Sequence, residues 1–110
     1  MLELFLEFVP APDGKLTPLL HGLLEGSAVT LRPRAKGTFT FKDTYRDHLM
    51  VATVTGVVPY ISMLRNYIHE GGSGYRFFVL VGASYMDEFT YDGELEQLAR
   101  EHLGVIHFVP

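Results

Sequence analysis

Residues 51–65 read VATVTGVVPYISMLR and contain the turn on which the fold depends. An apolar run typical of a β-strand leads into a Thr-Val-Thr-Gly corner, and Pro59 then stands just inside a stretch with helical spacing of apolar residues. A helix that starts in this way presents unpaired N–H groups and the positive end of its dipole, which suit a phosphate. The same residues also fit an ordinary turn from strand to helix, because one glycine is far less specific than a full glycine-rich fingerprint. Both interpretations stay open at this point.

The stretches around this turn predict an alternation of strands and helices. HLMVATV (48–54) and FFVLVGA (77–83) are continuous apolar runs, which favour strands buried on both faces of a parallel sheet. A helix is predicted between them, a second helix at about residues 92–103, and a third strand at VIHFV (105–109). The order β-α-β-α-β implies right-handed crossovers. Such sheets bind ligands at the carboxyl ends of their strands, where residues 53–59 and 82–91 fall.

Residues 1–42 have a different pattern. Leu2, Leu4, Leu6 and Phe8 alternate with other side chains as in a strand, and residues 29–34 and GTFTFK (37–42) alternate again. Between these segments, Thr17 is a suitable N-cap for a short helix at 19–25, with Pro18 at the first helical position. We therefore expect an α/β protein whose N-terminal part is α+β, with antiparallel strands and one small helix.

Composition excludes several classes of function. The 110 residues suffice for one domain or parts of two, and the net charge of −4 without a basic stripe argues against nucleic acid as a partner. No apolar run approaches the roughly 18 residues of a membrane span, and the Met-Leu-Glu start lacks the basic region of a signal peptide, so we expect a cytoplasmic protein with no membrane contact. The absence of cysteine excludes disulfides and thiolate chemistry. The histidine spacing predicts no metal site, and no motif indicates a catalytic nucleophile.

Three stretches, in collinear order, resemble ferredoxin–NADP reductases, particularly the bacterial flavodoxin/ferredoxin reductase branch. VPAPDGKLTPLLHGLLEGSAVTLRPRAKGTFTFKD (9–43) is similar to the end of that family's flavin barrel. VATVTGVVPYISMLR (51–65) is similar to its A-T-G-T-G-I-A-P-[FY]-[IL]-S-[MI]-L-R opening of the nucleotide domain. FVLVGASYMDEFTYDGELEQLA (78–99) is similar to its later strand, loop and L-x-Y-x-x-E-L pattern.

The resemblance implies a fold and an activity. Residues 1–42 would be the end of an antiparallel FAD-binding β-barrel, and residues 43–110 the β-α-β-α-β half of a Rossmann-like NAD(P)-binding sheet. The implied oxidoreductase transfers hydride between NADPH and FAD and passes electrons to a ferredoxin or flavodoxin. Because the cofactors carry this chemistry, it requires no catalytic acid–base pair or nucleophile from the protein.

The resemblance also implies the binding residues. The segment that holds the FAD pyrophosphate matches Gly14, Lys15, Leu16 and Thr17. The loop that faces the nicotinamide nucleotide matches Thr53, Thr55, Gly56, Val57, Val58 and Pro59, and the second loop of that site matches Gly82, Ala83 and Ser84. Tyr91 and Glu94 match the L-x-Y-x-x-E-L pattern, where packing or helix capping is an alternative to ligand contact. For residues 14–17 the alternative is a capped surface helix.

Three residues depart from the family pattern. Val54 stands where the family has the first glycine of G-T-G, Val58 where alanine is common, and Leu19 where an arginine is common. A β-branched residue at 54 restricts the backbone where a ligand approaches.

The family's R-x-[YF]-[ST] strand should lie upstream of residue 1, and its S-R region should follow residue 110. We therefore expect this chain to correspond to the middle of a reductase and to be inactive in isolation. The alternatives are a binding-only nucleotide module and a self-associating subunit. Unpaired strand edges and the apolar face of residues 2–9 predict a homo-oligomer, in which these residues contribute to the contact.

Overall fold

The computed structural model describes residues 2–83, 85 and 90–110. In this part of the chain the helices are α1 (Leu16–His21), α2 (Val58–His69) and α3 (Asp92–Glu101), and the strands are β1 (Asp47–Thr53), β2 (Arg76–Gly82) and β3 (Ile106–Val109). A 3-10 turn, Val54–Val57, joins β1 to α2. The chain divides into two compact units, Met1–Thr38 and Phe39–Pro110.

The described part of the second unit contains the parallel sheet that the sequence predicts, and its strands lie in the order β1-β2-β3. β1 pairs with β2 along its whole length, and β2 pairs with β3 from Phe77 to Leu80. Pro59 lies in the first turn of α2, where its missing N–H costs no hydrogen bond. Gly71, with a φ of 65°, follows the end of α2 in the left-handed conformation that glycine adopts without strain. Proline and glycine therefore explain where this helix begins and ends.

The core of the second unit lies on one face of the sheet. Its buried residues form a single cluster with contributions from all three strands, the 3-10 turn, α2 and α3: Met50, Ala52, Val57, Ile61, Leu64, Phe77, Val79, Val81, Leu95 and Ile106. On the opposite face, Leu49 is 69% exposed and Val51 is 59% exposed. The prediction that these strands are buried on both faces is therefore wrong. The reason is the direction of the connections. The chain passes from β1 to β2 and from β2 to β3 in the same direction across the sheet, and two right-handed crossovers in one direction place α2 and α3 on the same face.

The first unit differs from the fold predicted for it more than the second unit does. Its described residues, 2–38, contain no strand and no buried residue, and residues 39–42 are not in a strand either. The apolar side chains of residues 2–8 that alternate in the sequence are exposed, from 47% for Leu6 to 65% for Leu2. An alternating segment becomes a strand only when a neighbouring segment completes its hydrogen-bond ladder. The antiparallel part of the predicted fold is therefore not formed among the described residues.

The short helix also lies elsewhere than predicted. α1 spans Leu16–His21 rather than residues 19–25, and its N-cap is Lys15, which makes no side-chain capping bond. The predicted N-cap, Thr17, instead bonds the preceding segment. The Val9 N–H donates to Thr17 Oγ1 at 3.0 Å, and the Thr17 hydroxyl donates to the Val9 carbonyl oxygen at 2.9 Å. A side chain that binds a backbone eight residues away gives no local sequence signal, which is why the capping interpretation was wrong.

Candidate nucleotide site

The carboxyl ends of β1 and β2 bring two of the predicted loops together. Thr53 and Gly82, the last residues of the two strands, are register partners across the parallel pair. The 3-10 turn and α2 follow the first strand, and Ala83 follows the second. The structure therefore places residues 53–59 and 82–83 at one edge of the sheet. Ser84, also predicted here, lies outside the described residues.

Residues 53–59 divide between exposed and buried positions. Thr53 and Gly56 are exposed, and Thr55 is half-exposed. Val57 is only 3% exposed and packs in the core, so only its backbone is positioned to contact a ligand. The site therefore offers threonine hydroxyls, a glycine and the amino-terminal backbone of a 3-10 turn that leads directly into α2.

The packing of the described residues does not require the two glycines at this edge. A Cβ atom added to Gly56 would lie 3.7 Å from the Ala52 Cβ, and one added to Gly82 would lie 3.9 Å from Thr53 Cγ2. Both distances are ordinary van der Waals contacts, and neither glycine has a left-handed φ. Among the described residues, each glycine therefore leaves room for at least a Cβ atom beside the backbone at the point where the two loops meet. This is the space that a ligand needs for close approach to a backbone.

Val54 is the unusual backbone position of the site. Its φ is 43°, in the left-handed region, whereas Val58, four residues later, has an ordinary helical φ of −58°. Left-handed backbone costs an L-residue about 1–2 kcal/mol, and valine is especially restricted there because its Cβ is branched. Sequence comparison with the family motif identified this position as one where glycine is usual. The structure gives the physical reason, since the turn requires a conformation that glycine adopts freely.

We expect Val54→Gly to raise the free energy of unfolding by about 1 kcal/mol, because the relief of left-handed strain exceeds the extra backbone entropy that glycine loses on folding. Urea unfolding followed by circular dichroism measures the change. Val58→Gly is the matched control and should lower the free energy of unfolding by roughly 1 kcal/mol, since Val58 has helical geometry. Destabilisation of similar size by both substitutions would show that Val54 is not strained.

The beginning of α3 follows the second loop and is held by an ion pair. Arg65 of α2 donates two hydrogen bonds of 2.7 Å to the carboxylate of Glu94, and its guanidinium lies 5.8 Å from the centre of the Tyr91 ring. Glu94 therefore joins two helices, which favours the packing interpretation of the L-x-Y-x-x-E-L pattern. Next to it, burial raises the pKa of Asp92 above its usual value, with a smaller contribution from the charge of Glu96.

Residues 14–17 are already engaged within the first unit. A Cβ on Gly14 would collide with the Val9 carbonyl oxygen, so this glycine is required by close approach of the chain to itself. The Thr17 hydroxyl is bound to the backbone of the same residue, Val9. Contacts with Val9 therefore explain Gly14 and Thr17 without a ligand, in contrast to Gly56 and Gly82. Lys15 and Leu16 are exposed.

Two kinds of feature are absent from the part of the chain that the structure describes. They contain no group of three or more histidine, aspartate or glutamate side chains arranged to hold a metal ion. None of their helices has the length and apolar character that crossing a membrane requires.

The chain is similar to curated bacterial reductases. It is 30% identical over 95 residues to a flavodoxin/ferredoxin–NADP reductase of Buchnera aphidicola subsp. Schizaphis graminum, a match that covers 84% of this chain and 36% of the relative. It is 31% identical over 106 residues to the flavodoxin/ferredoxin–NADP reductase of Escherichia coli, covering 94% of this chain and 41% of the relative. Ferredoxin–NADP reductase B of Sorangium cellulosum is 44% identical over 52 residues, covering 47% of this chain and 21% of the relative.

No family model matches the chain. The chain spans about two fifths of the length of the first two relatives. The similarity nevertheless extends over most of the chain in several reductases, and it agrees with the collinear motifs in the sequence and with the parallel sheet. The chain therefore belongs to the ferredoxin/flavodoxin–NADP reductase family.

Proposed function

We propose that this chain supplies the NADP-binding edge of a reductase in which hydride passes between NADPH and FAD, and electrons pass to a ferredoxin or flavodoxin. The observation that supports it most is the pair of open glycines, Gly56 and Gly82, where the first and second loops meet at the carboxyl edge of the sheet. Parallel sheets of this type bind nucleotides at that edge.

The residues at this edge fit the pyrophosphate and ribose of a nicotinamide nucleotide. Gly56 leaves space for a phosphate beside the backbone, and the hydroxyls of Thr53 and Thr55 are available as hydrogen-bond donors or acceptors. The 3-10 turn and α2 add the positive end of the helix dipole, which favours an anion. Ala83 and Ser84 belong to the same proposed site through the second loop. When bound, NADPH would supply the hydride, and the role of these residues is to bind and orient it.

Residues 1–42 are proposed to be the end of the FAD-binding barrel, with residues 43–110 forming the first half of the NAD(P)-binding domain. In the conformation described here, Gly14 and Thr17 are engaged with Val9 rather than open to a ligand. The described residues of this unit therefore do not form a complete flavin site.

We expect the purified chain to retain no stoichiometric FAD. The physical reason is that the first unit has no buried residue among residues 2–38 and its proposed pyrophosphate segment is packed against Val9. The measurement is the visible flavin absorbance of protein that has been incubated with FAD and passed through gel filtration. One flavin per chain after gel filtration would contradict this prediction and would favour a complete reductase.

The nucleotide site is tested separately, by isothermal titration calorimetry of NADPH into the flavin-free chain. We expect saturable binding of one NADPH per chain with a dissociation constant below about 1 mM. Absence of binding heat up to that concentration, from protein that unfolds cooperatively, would reject the proposed function. NADPH binding without FAD retention is the result expected for a chain that contains the nucleotide site but no complete flavin site.

A further inference from the structure

The two residues through which Arg65 contacts α3 both lie at the amino-terminal end of that helix. Tyr91 is its N-cap, and Glu94 is the third residue of Asp92–Glu101. The Glu94 carboxylate accepts two hydrogen bonds of 2.7 Å from the guanidinium, a paired geometry that fixes orientation as well as distance. Leu95, the next residue, is fully buried in the core. The first turn of α3 is therefore held by core packing at Leu95 and by Arg65 at the surface.

The first turn of α3 is also where the second loop ends. This loop begins at Gly82, whose register partner is Thr53 at the end of β1. It ends at Tyr91, whose ring centre lies 5.8 Å from the Arg65 guanidinium of α2. β1 and α2 are the elements on either side of the first loop. The segment of chain that carries the first loop therefore holds both ends of the second loop.

We propose that Arg65 and Glu94, which we call the helix pair, are positioning residues for the NADPH site and fix the second loop relative to the first. This role rests on the proposed function, in which Gly82 and Ala83 approach the nucleotide. A loop that is held at both ends loses less conformational freedom when it binds a ligand, so the ligand binds more tightly. Arg65 lies about 10 Å along the axis of α2 from its first residue, Val58. It therefore acts on the site through α3.

A second ion pair of the same geometry lies at the opposite edge of the sheet and serves as a matched control. Arg76 donates two hydrogen bonds of 2.7 Å to the carboxylate of Asp47, and we call these residues the strand pair. They are the first residues of β2 and β1, about 20 Å along the strands from Gly82 and Thr53. The arginine side chains of the helix pair and the strand pair are 41% and 42% exposed. Removal of either pair should therefore have a similar effect on folding stability, but only the helix pair contacts the end of the second loop.

Calorimetric titration of NADPH tests the role in binding. Arg65→Gln and Glu94→Gln should each raise the NADPH dissociation constant at least about five-fold, and the double variant should resemble either one, because the residues act as a pair. Removal of the strand pair, by Asp47→Asn with Arg76→Gln, should change the dissociation constant by less than about two-fold. Glu94→Gln also separates positioning from charge. It removes a negative charge, so direct attraction of the phosphates by Arg65 predicts tighter binding, whereas positioning predicts weaker binding.

Amide hydrogen exchange of the ligand-free chain tests the positioning without a nucleotide. The Leu95 N–H donates to the Tyr91 carbonyl oxygen at 3.0 Å and reports on the first turn of α3. The Phe77 N–H donates to the Val105 carbonyl oxygen at 2.7 Å and reports on the sheet. The ratio of the Leu95 rate to the Phe77 rate corrects for a change in global stability, and it should rise at least about five-fold in Arg65→Gln. Removal of the strand pair should leave the ratio unchanged.

The results that overturn the positioning role differ from the one that overturns the proposed function. If the parent binds NADPH and the helix-pair variants bind it equally well, the positioning role is wrong and the proposed function stands. Equal weakening by removal of the strand pair would show a general effect of stability, and tighter binding by Glu94→Gln would assign Arg65 to direct attraction of phosphate. An unchanged ratio of exchange rates in Arg65→Gln would also overturn the role. A parent that binds no NADPH would overturn the proposed function and this role together.

Discussion

Gly56→Val is expected to abolish measurable binding of NADP(H). Gly56 is exposed at the edge where β1 and β2 end, and among the described residues the nearest atom to an added Cβ, apart from its neighbours in the chain, is the Ala52 Cβ at 3.7 Å. A valine therefore occupies space that the chain leaves open, and its methyl groups exclude a phosphate from the backbone. We expect the dissociation constant to rise at least about ten-fold, which removes the calorimetric signal at concentrations near 1 mM.

Two controls separate loss of binding from loss of folding. Gly56→Ala should keep the free energy of unfolding close to that of the parent and weaken NADP(H) binding less than valine does, because its Cβ fits. Gly22→Val lies in the first unit, where an added Cβ would lie 3.6 Å from the Pro18 carbonyl oxygen. It should titrate like the parent. If Gly56→Val also titrates like the parent, the nucleotide site lies elsewhere.

Phe77→Ala is expected to have the largest effect on stability, about 3–5 kcal/mol in the free energy of unfolding. The Phe77 side chain is fully buried, and its ring lies 4.9 Å from the ring of Tyr67 and 5.4 Å from that of His48. Truncation removes these contacts and leaves a cavity between the sheet and α2. Because the free energy of unfolding of a small domain is only about 5–15 kcal/mol in total, the variant should be largely unfolded at low urea concentrations.

Phe78, the next residue in the chain, provides a control with the same side chain. Phe78 follows Phe77 on β2, points to the opposite face of the sheet and is half-buried. We expect Phe78→Ala to cost about 1 kcal/mol, mainly through the lost contact with His107. Urea unfolding followed by circular dichroism gives both values. Equal losses for the two substitutions would show that the two faces of the sheet are equally packed, contrary to the structure.

The location of the candidate site was predictable because its signals are local. A strand, a Thr/Gly turn and a helix with proline in its first turn are encoded in fifteen consecutive residues. Successive parallel strands necessarily end at the same edge, so the meeting of residues 53–59 with residues 82–83 followed from the order of elements. The family motifs added the expectation of glycine at position 54, but the sequence could not show that its replacement by valine keeps a left-handed backbone.

The interactions that could not be predicted from the sequence connect residues that are far apart in the chain. Arg65 and Glu94 are 29 residues apart, and Thr17 reaches Val9 across eight residues, so neither pair produces a periodic pattern. Their partners depend on where helices and turns are brought together in space. The predicted strands of residues 2–9 and 37–42 show the same dependence, since alternation defines an apolar face but supplies no hydrogen-bonding neighbour.

The sequence by itself determined the family, the alternation of strands and helices, and the edge at which a nucleotide is proposed to bind. Each of these depends on patterns of residues that lie close together in the chain. Only the tertiary structure decided which apolar residues become core. Val79 and Leu80 belong to the same apolar run, yet Val79 is fully buried and Leu80 is 37% exposed. The difference arises because both crossovers step the same way along the sheet and place α2 and α3 on the side of Val79. Hydrophobicity specifies that a side chain favours burial, but the direction of the connections determines which face is covered.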